Sequence, residues 1–256
     1  MRKKIHPNGY DTDKSQQYLN NYEDFFHLLS DKSIHILELG IKSGGSLLMW
    51  RDYFEKGIIV GIDSHPVQIE DPSGRIHMYT GLQQDKEFLD RVRRESAPDG
   101  FDMIIDDCSH IGELTRISFW HLFNNHLKPN GIYVIEDWGT GYWDTYPDGR
   151  RFKSSFWNYR TSLSEAMQRG IISAYKRSYK NLFLKKLLNH LIIRIASQNF
   201  PNHHYGIVGF VKTLVDECGM ADITHPIWGV PPQRHSKFKK IQINHGQVFI
   251  VKASES

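Results

Sequence analysis

Short apolar runs alternate with helical patterns from Ile34 onward, and this alternation constrains the fold more than any other feature of the chain. Five runs have the length and composition of β-strands, at 34–39, 57–62, 75–79, 101–105 and 131–136. Helical spacing is found between them, near 46–55, 84–95 and 113–126. Strands that alternate with helices in this way form parallel sheets with crossover helices, so we predict an α/β fold with a doubly wound, mostly parallel sheet.

The C-terminal part of the chain does not continue this alternation of strands and helices. The runs "KKIQI" and "QVFIVKA" flank the turn signal "NHG", which predicts a closing antiparallel hairpin. Residues 150–200 carry eleven lysines and arginines against Glu165 alone, although the whole chain has a formal net charge of only +3. This basic segment is either a solvated pair of surface helices or a contact for an anionic acceptor or a membrane surface.

Composition excludes several classes of protein. No apolar run approaches the roughly 20 residues of a membrane span, and the N-terminus lacks the apolar region of a signal peptide, so we expect a cytoplasmic protein without a transmembrane segment. The two cysteines, Cys108 and Cys218, form no CxxC pair. Neither a disulfide framework nor a thiolate zinc site is therefore predicted.

A glycine-rich turn follows the first predicted strand in "LELGIKSGGS". Glycines let the backbone turn tightly and approach a ligand, so Glu38, Gly40, Gly44 and Ser46 are candidates for a cofactor site. The alternative is an ordinary turn in which Ser46 caps the following helix.

Asp63 ends the second strand, roughly 20 residues after the turn, where an acid can accept hydrogen bonds from ribose hydroxyls. NAD and S-adenosylmethionine both carry a ribose. The chain lacks the GxGxxG pattern that binds a pyrophosphate, and Glu38 would repel a diphosphate. A cationic sulfonium cofactor therefore suits the turn better.

Two acidic pairs end neighbouring strands of the predicted sheet. Asp106 and Asp107 follow the fourth strand, and Glu136 and Asp137 follow the fifth. Clustered carboxylates are unfavourable unless a cation or shared protons neutralise them, and hard oxygen ligands indicate Mg²⁺ or Mn²⁺ as the cation. His110 is the candidate general base of the same cleft. The alternative is that such acids only cap helices.

The motifs "LELG…GGSLLMW", "VGID", "IIDDCSH" and "GIYVIEDW" resemble the Mg²⁺-dependent sugar O-methyltransferases of macrolide antibiotic pathways, of the mycinamicin type, and the wider group that includes cephalosporin-hydroxylase-like proteins. The likeness runs from about Thr12 to Trp143, with a weaker match in "IQINHGQVFIVKA". The resemblance implies a Rossmann-like class I methyltransferase in which S-adenosylmethionine donates a methyl group to a sugar hydroxyl.

The resemblance also implies roles for individual residues. Asp107, Glu136 and Asp137 would bind the metal, and His110 would be the base that takes the proton from a hydroxyl whose pKa the metal lowers. The predicted cofactor contacts are Thr12, Glu38, Gly40, Ser46, Asp63, Gln83 and Asp106. The chain departs from the family pattern at Cys108, where glycine is usual, and near Gln83, where an acid usually follows the glycine.

We therefore expect one methyltransferase domain over residues 1–256. Its predicted parts are a cofactor-covering segment at 1–33, a cofactor and metal core at 34–143, a basic helical or lid insertion at 144–205, and C-terminal strands that close the sheet at 206–256. The aromatic stretches "WGTGYWDTY" and "FWNYR" are either a lid that stacks on a sugar or the core of the appended helices.

The expected partner is an acceptor with vicinal hydroxyls, on a glycosylated natural product or a surface-polysaccharide precursor. We expect no nucleic-acid partner, and we expect a homo-oligomer. Three alternatives remain open from the sequence: an O-methyltransferase of a catechol-like diol, an NAD-linked oxidoreductase, and a non-catalytic cofactor-binding module.

Overall fold

The computed structural model describes residues 3–151, 170, 173, 203–219 and 235–254. Its strands are β1 (His35–Leu39), β2 (Ile58–Asp63), β3 (Ile76–Thr80), β4 (Phe101–Asp106), β5 (Leu127–Glu136), β6 (Phe238–Ile243) and β7 (Gln247–Lys252). Its α-helices are α1 (Gln16–Phe26), α2 (Gly45–Tyr53), α3 (Lys86–Ser96), α4 (Gly112–Asn125) and α5 (Gly206–Gly219). Most of the basic segment 150–200 and the "FWNYR" stretch lie outside the described residues.

The strands form one sheet of seven in the order β3-β2-β1-β4-β5-β7-β6. The first five strands are parallel, whereas β7 runs antiparallel to both β5 and β6. The predicted doubly wound sheet and the closing hairpin are thus confirmed. The order reverses between β1 and β4, and ligands of such sheets bind beyond the carboxyl ends of the strands at this point. The registers Leu39 to Asp106 and Asp106 to Ile135 bring the ends of β1, β4 and β5 side by side.

Two parts of the structure differ from the sequence prediction. Only strands were predicted for 206–256, but this part begins with helix α5, because Ile207, Phe210, Val211 and Leu214 share one buried helical face. The "KPNG" turn before the fifth strand lies inside β5, where the register to β4 shifts and Asn130 takes a φ of +59°. The helix was not predicted because β-branched residues, which favour strands, are frequent in α5. The predicted turn forms a bulge within β5.

Aromatic packing on one face of the sheet fixes the N-terminal helix α1. The buried ring of Tyr22 lies 5.1 Å from Trp50 of α2 and 5.4 Å from Phe249 of β7, measured between ring centroids. Phe26 packs against Trp50 at 5.8 Å. Because aromatic side chains bury large areas, these contacts hold α1 firmly, and with it the residues that precede it. The opposite face of the sheet is covered by α3, α4 and α5.

Among the described residues, no helix is both long enough and apolar enough to cross a membrane.

Candidate active site

A cleft of about 710 Å³ opens at the carboxyl ends of the parallel strands. Residues of the N-terminal segment, including Asp13 and Tyr18, form one of its walls. Seven of the predicted site residues line it: Gly40, Asp63, Gln83, Asp107, His110, Glu136 and Asp137. The topology therefore brings most of the predicted cofactor and metal residues to one place.

The glycine turn after β1 packs directly on the loop after β4. Gly40 has a φ of +81°, and a Cβ there would lie 2.2 Å from the backbone oxygen of Asp107. Only glycine fits both the angle and the approach. Gly44, with a φ of +87°, is the N-cap of α2. The alternative in which Ser46 caps this helix is therefore wrong.

Asp63 and Gln83 accept backbone hydrogen bonds from the loops that border the cleft. Asp63 Oδ2 accepts hydrogen bonds from the backbone of Ile41 at 3.0 Å and Lys42 at 3.1 Å. Burial favours a raised pKa, but backbone hydrogen bonds from His65, Ile41 and Lys42 hold the pKa of Asp63 below its usual value. The amide of Gln83 accepts from the backbone of Ser109 at 3.2 Å.

Four predicted cofactor residues do not line the cleft. Glu38 is fully buried, and its Oε2 accepts from Ser46 at 2.8 Å. Asp106 accepts from Ser118 and Tyr133, at 3.0 Å each, and burial raises its pKa to about 6. Thr12 accepts from the Lys14 backbone at 3.3 Å. Because Glu38, Ser46 and Asp106 are engaged behind the cleft, we assign them to the support of its walls.

His110 lies between the two acidic strand ends. Its Nε2 atom is 3.9 Å from Asp107 Oδ1 and 3.9 Å from Asp137 Oδ2. The ligand atoms of all three side chains lie within 4.8 Å of one another. His110 and Asp137 have φ angles of +53° and +54°, in the left-handed region that non-glycine residues rarely adopt. Such backbone strain is found preferentially at functional sites.

A lysine that the sequence prediction missed lies behind this group. Lys14 Nζ is 2.6 Å from Glu136 Oε2, 2.8 Å from Asp107 Oδ2 and 3.2 Å from Glu38 Oε1, and its side chain is only 3% exposed. Burial favours a lowered pKa, but the three carboxylates hold the pKa of Lys14 well above its usual value. The motif "TDKS" was the available signal, although nothing in its spacing indicates a buried ammonium.

Two tyrosines of α1 donate hydrogen bonds to Glu136 and Asp137 at the end of β5. The Tyr22 hydroxyl donates to Glu136 Oε1, which also accepts from Gln247 at 3.4 Å. The Tyr18 hydroxyl donates to Asp137 Oδ1 at 2.6 Å. Both oxygens of Glu136 therefore have protein partners, whereas Asp137 Oδ2 faces His110.

The acidic group has the electrostatics of a cation site. Burial, together with repulsion from Glu136, raises the pKa of Asp107 well above its usual value. Burial lowers the pKa of His110, which favours the neutral imidazole at pH 7. Three carboxylates share the single ammonium of Lys14, so negative charge is left over. Asp107 Oδ1 and Asp137 Oδ2 fit a divalent cation of the Mg²⁺ or Mn²⁺ type, with His110 Nε2 beside them.

Cys108 does not distort this loop. Its side chain packs on the main core, and the positive φ belongs to His110 instead. Burial and the neighbouring Asp106, Asp63 and Asp107 raise the pKa of the Cys108 thiol to about 12. Cys108 therefore replaces the usual glycine without a positive φ, and its side chain lies between the core and the cleft.

No protein-family model matches the chain. It is 40% identical over 134 residues to mycinamicin VI 2''-O-methyltransferase of Micromonospora griseorubida, covering 48% of this chain and 32% of that protein. It is 37% identical over 158 residues to L-olivosyl-oleandolide 3-O-methyltransferase of Streptomyces antibioticus, covering 57% and 40%. It is 42% identical over 132 residues to 8-demethyl-8-(2-methoxy-alpha-L-rhamnosyl)-tetracenomycin-C 3'-O-methyltransferase of Streptomyces olivaceus, covering 49% and 33%.

These homologues are sugar O-methyltransferases of macrolide and tetracenomycin pathways, so the predicted resemblance is confirmed. The matched regions are only part of each protein, at most 40% of a relative's length. The MycE methyltransferase of the mycinamycin pathway, solved with Mg and SAH, superposes with a TM-score of 0.60 and 24% identity over 92% of this chain and 48% of that one. The predicted Rossmann-like class I methyltransferase fold is confirmed.

Proposed function

We propose that this chain is an S-adenosylmethionine- and divalent-cation-dependent O-methyltransferase that methylates a hydroxyl of a sugar. The acceptor class is a glycosylated natural product or a surface-polysaccharide precursor with vicinal hydroxyls. The relatives' names support this class, because they describe methylation of glycosylated macrolides and tetracenomycins.

The position of His110 between Asp107 and Asp137 carries the proposal. The three side chains converge at 3.9 Å in a cleft that the glycine turn and Asp63 also line. This arrangement supports the proposal of a neutral base and a cation site beside the region that would bind an adenosine.

Different residues would bind the cofactor, bind the cation and accept the proton. The turn at Gly40, the carboxylate of Asp63 and the loop at Gln83 would hold the adenosine part of S-adenosylmethionine, which supplies an electrophilic methyl group. Asp107 and Asp137 would hold the cation, and Glu136, the third predicted ligand, would lie behind them in contact with Lys14 and Tyr22. The cation supplies the positive charge that lowers the pKa of a hydroxyl.

His110 accepts the hydroxyl proton at Nε2 in this proposal. Its lowered pKa keeps the nitrogen lone pair available at pH 7. The walls of the cleft align donor and acceptor, and such alignment supplies much of the acceleration of a transfer reaction. A base without a cation would be a weak catalyst, since a sugar hydroxyl ionises far above pH 7.

Aromatic side chains at the mouth of the cleft support a sugar acceptor. Trp143 is 58% exposed, and its ring lies 5.8 Å from that of Tyr146. Tyr146 lines the cleft and lies 5.9 Å from the His110 ring. Flat apolar faces that stand over a base suit the face of a sugar ring. This favours the lid interpretation of "WGTGYWDTY".

Calorimetric titration tests the cofactor and the cation separately. The protein is titrated with S-adenosylmethionine, with NAD and with Mg²⁺, and the Mg²⁺ titration is repeated on Asp107→Ala. We expect binding of S-adenosylmethionine, no binding of NAD, and loss of Mg²⁺ binding in the variant. Asp13→Ala is the matched control, because Asp13 lines the same cleft but is 79% exposed and pairs with Lys42.

An acceptor panel then tests the substrate class. Glycosides with vicinal hydroxyls, the same glycosides with one hydroxyl blocked, and catechols are compared for methyl transfer. Transfer to the free glycosides alone supports the proposal. Transfer to catechols alone would assign the chain to the diol class instead, and binding of NAD in place of S-adenosylmethionine would refute the methyltransferase assignment.

A further inference from the structure

We propose that Lys14 is a positioning residue that serves as an internal counter-cation for the carboxylates of the cation site. This inference rests on the proposed function, since it concerns the same cluster of acids. It assigns a role to the N-terminal segment that neither the motifs nor the relatives' names indicate.

The contacts of Asp107 carry the inference. Its Oδ2 atom accepts a hydrogen bond from Lys14 at 2.8 Å, while its Oδ1 atom lies 3.9 Å from His110 Nε2. Asp107 therefore contacts the Lys14 ammonium through its buried oxygen and faces His110 through the oxygen on the cleft side. Oδ1 is thus the Asp107 oxygen that faces the cleft.

The buried side of the cluster explains why an ammonium is needed. Glu38 and Glu136 are 0% and 2% exposed, and Lys14 contacts both. Buried carboxylates without a partner are strongly destabilising, so the cluster requires a positive charge even when no divalent cation is bound. Lys14 supplies one charge for three acids, and the remaining negative charge attracts the second cation.

The position of Lys14 in the chain links the cation site to the cofactor side of the cleft. Asp13 and Ser15 line the cleft on either side of Lys14, and Ser15 caps α1 by accepting from Tyr18 at 3.2 Å. The ammonium thus ties the segment that borders the cleft to the carboxylates at the strand ends. Because like charges repel, Lys14 and the divalent cation weaken each other's hold on Asp107.

Mg²⁺ titration of three proteins tests this repulsion without a measurement of activity. In Lys14→Met the counter-charge is removed, and we expect Mg²⁺ to bind about tenfold more tightly than in the unmodified protein. In Lys14→Arg the charge is kept, and we expect an affinity within about threefold of the unmodified protein. Thermal unfolding with and without Mg²⁺ is a second readout, in which Lys14→Met should gain more from Mg²⁺.

A paired variant covers the case in which Lys14→Met does not fold. Lys14→Met combined with Glu38→Gln removes one positive and one negative charge, and Glu38 lies behind the cleft on Ser46 and Trp50. We expect this protein to fold and to bind Mg²⁺ within about threefold of the unmodified affinity.

The outcomes separate this inference from the proposed function. Weaker Mg²⁺ binding in Lys14→Met, or its loss in the paired variant, would overturn the counter-charge role. If only Lys14→Met bound Mg²⁺, this would support the counter-charge role of Lys14 and refute a cation site in the unmodified protein. Absence of binding in all variants would overturn the inference, whereas S-adenosylmethionine binding tests the methyltransferase assignment independently.

Discussion

The Tyr18 hydroxyl donates a 2.6 Å hydrogen bond to Asp137 Oδ1, although 119 positions separate the two residues in the chain. Burial and the nearby acids raise the pKa of Tyr18, so the hydroxyl stays protonated and remains a donor. Asp137 itself takes a left-handed backbone conformation. Helix α1 therefore orients one of the two carboxylates that face His110.

Replacement of Tyr18 by phenylalanine should loosen Asp137 without removing it. We expect kcat/KM to fall about tenfold, because a hydrogen bond to a charged group is lost, while the protein remains folded. Steady-state kinetics with saturating Mg²⁺ measure the effect. Tyr10→Phe is the control, since Tyr10 donates a similar bond to Asp52 outside the cleft. Equal losses in both variants would contradict a role at the site.

Replacement of His110 by asparagine should remove the base. We expect kcat to fall about 10²- to 10⁴-fold with S-adenosylmethionine affinity retained. Single-turnover methyl transfer and calorimetry separate the two effects. The exposed His6 provides the control variant, His6→Asn, which should keep full activity. A kcat within threefold of the unmodified protein would mean that another group takes the proton.

Replacement of Gly40 by alanine should separate a steric clash from backbone strain. The new Cβ would meet the Asp107 oxygen at 2.2 Å, so we expect loss of S-adenosylmethionine binding and a marked fall in stability. Gly74 also has a positive φ but has open space around it, so Gly74→Ala should cost only about 1 kcal/mol. Melting temperatures and cofactor titrations compare the pair. Retained cofactor binding in Gly40→Ala would exclude close contact at this turn.

Replacement of Asp71 by asparagine should give a pH-dependent loss of stability. Hydrogen bonds from Ser73, Ile76 and Arg51 outweigh burial and lower the pKa of Asp71 to about 2. A lowered carboxyl pKa stabilises the fold above its unfolded value of 3.8, and this contribution is lost as the pH falls through about 2.

We therefore expect Asp71→Asn to lose on the order of 2 kcal/mol at pH 7, with a smaller deficit below pH 4. Urea unfolding at several pH values measures it. The exposed Asp31 gives the control, Asp31→Asn, which should show no such trend. A deficit that stays constant down to pH 3 would exclude ionisation of Asp71 as its source.

Local patterns explain why much of the fold and the site could be predicted. The strand periods, the glycine turn and the acids at the ends of β4 and β5 are properties of neighbouring residues. Parallel pairing of β4 with β5 then places Asp107 and Asp137 at the same edge of the sheet. Helix α5 was missed, because Ile207 and three valines give it the composition of a strand.

Side-chain direction is a property that the sequence could not supply. Glu38 and Asp106 carry the expected charges at the expected strand positions, but the structure turns them onto Ser46 and onto Ser118 and Tyr133. Their direction depends on which neighbours can satisfy a buried carboxylate, and those neighbours come from other elements. No spacing rule within one motif contains that information.

Short-range periodicity and the geometry of parallel strands are sufficient to predict the doubly wound sheet, the closing hairpin and the acids beside His110. The entry of Lys14 into the acidic cluster and the hydrogen bond from Tyr18 to Asp137 depend instead on contacts between distant elements. Aromatic packing of α1 between α2 and β7 makes these contacts possible, because it fixes the N-terminal segment over the strand ends.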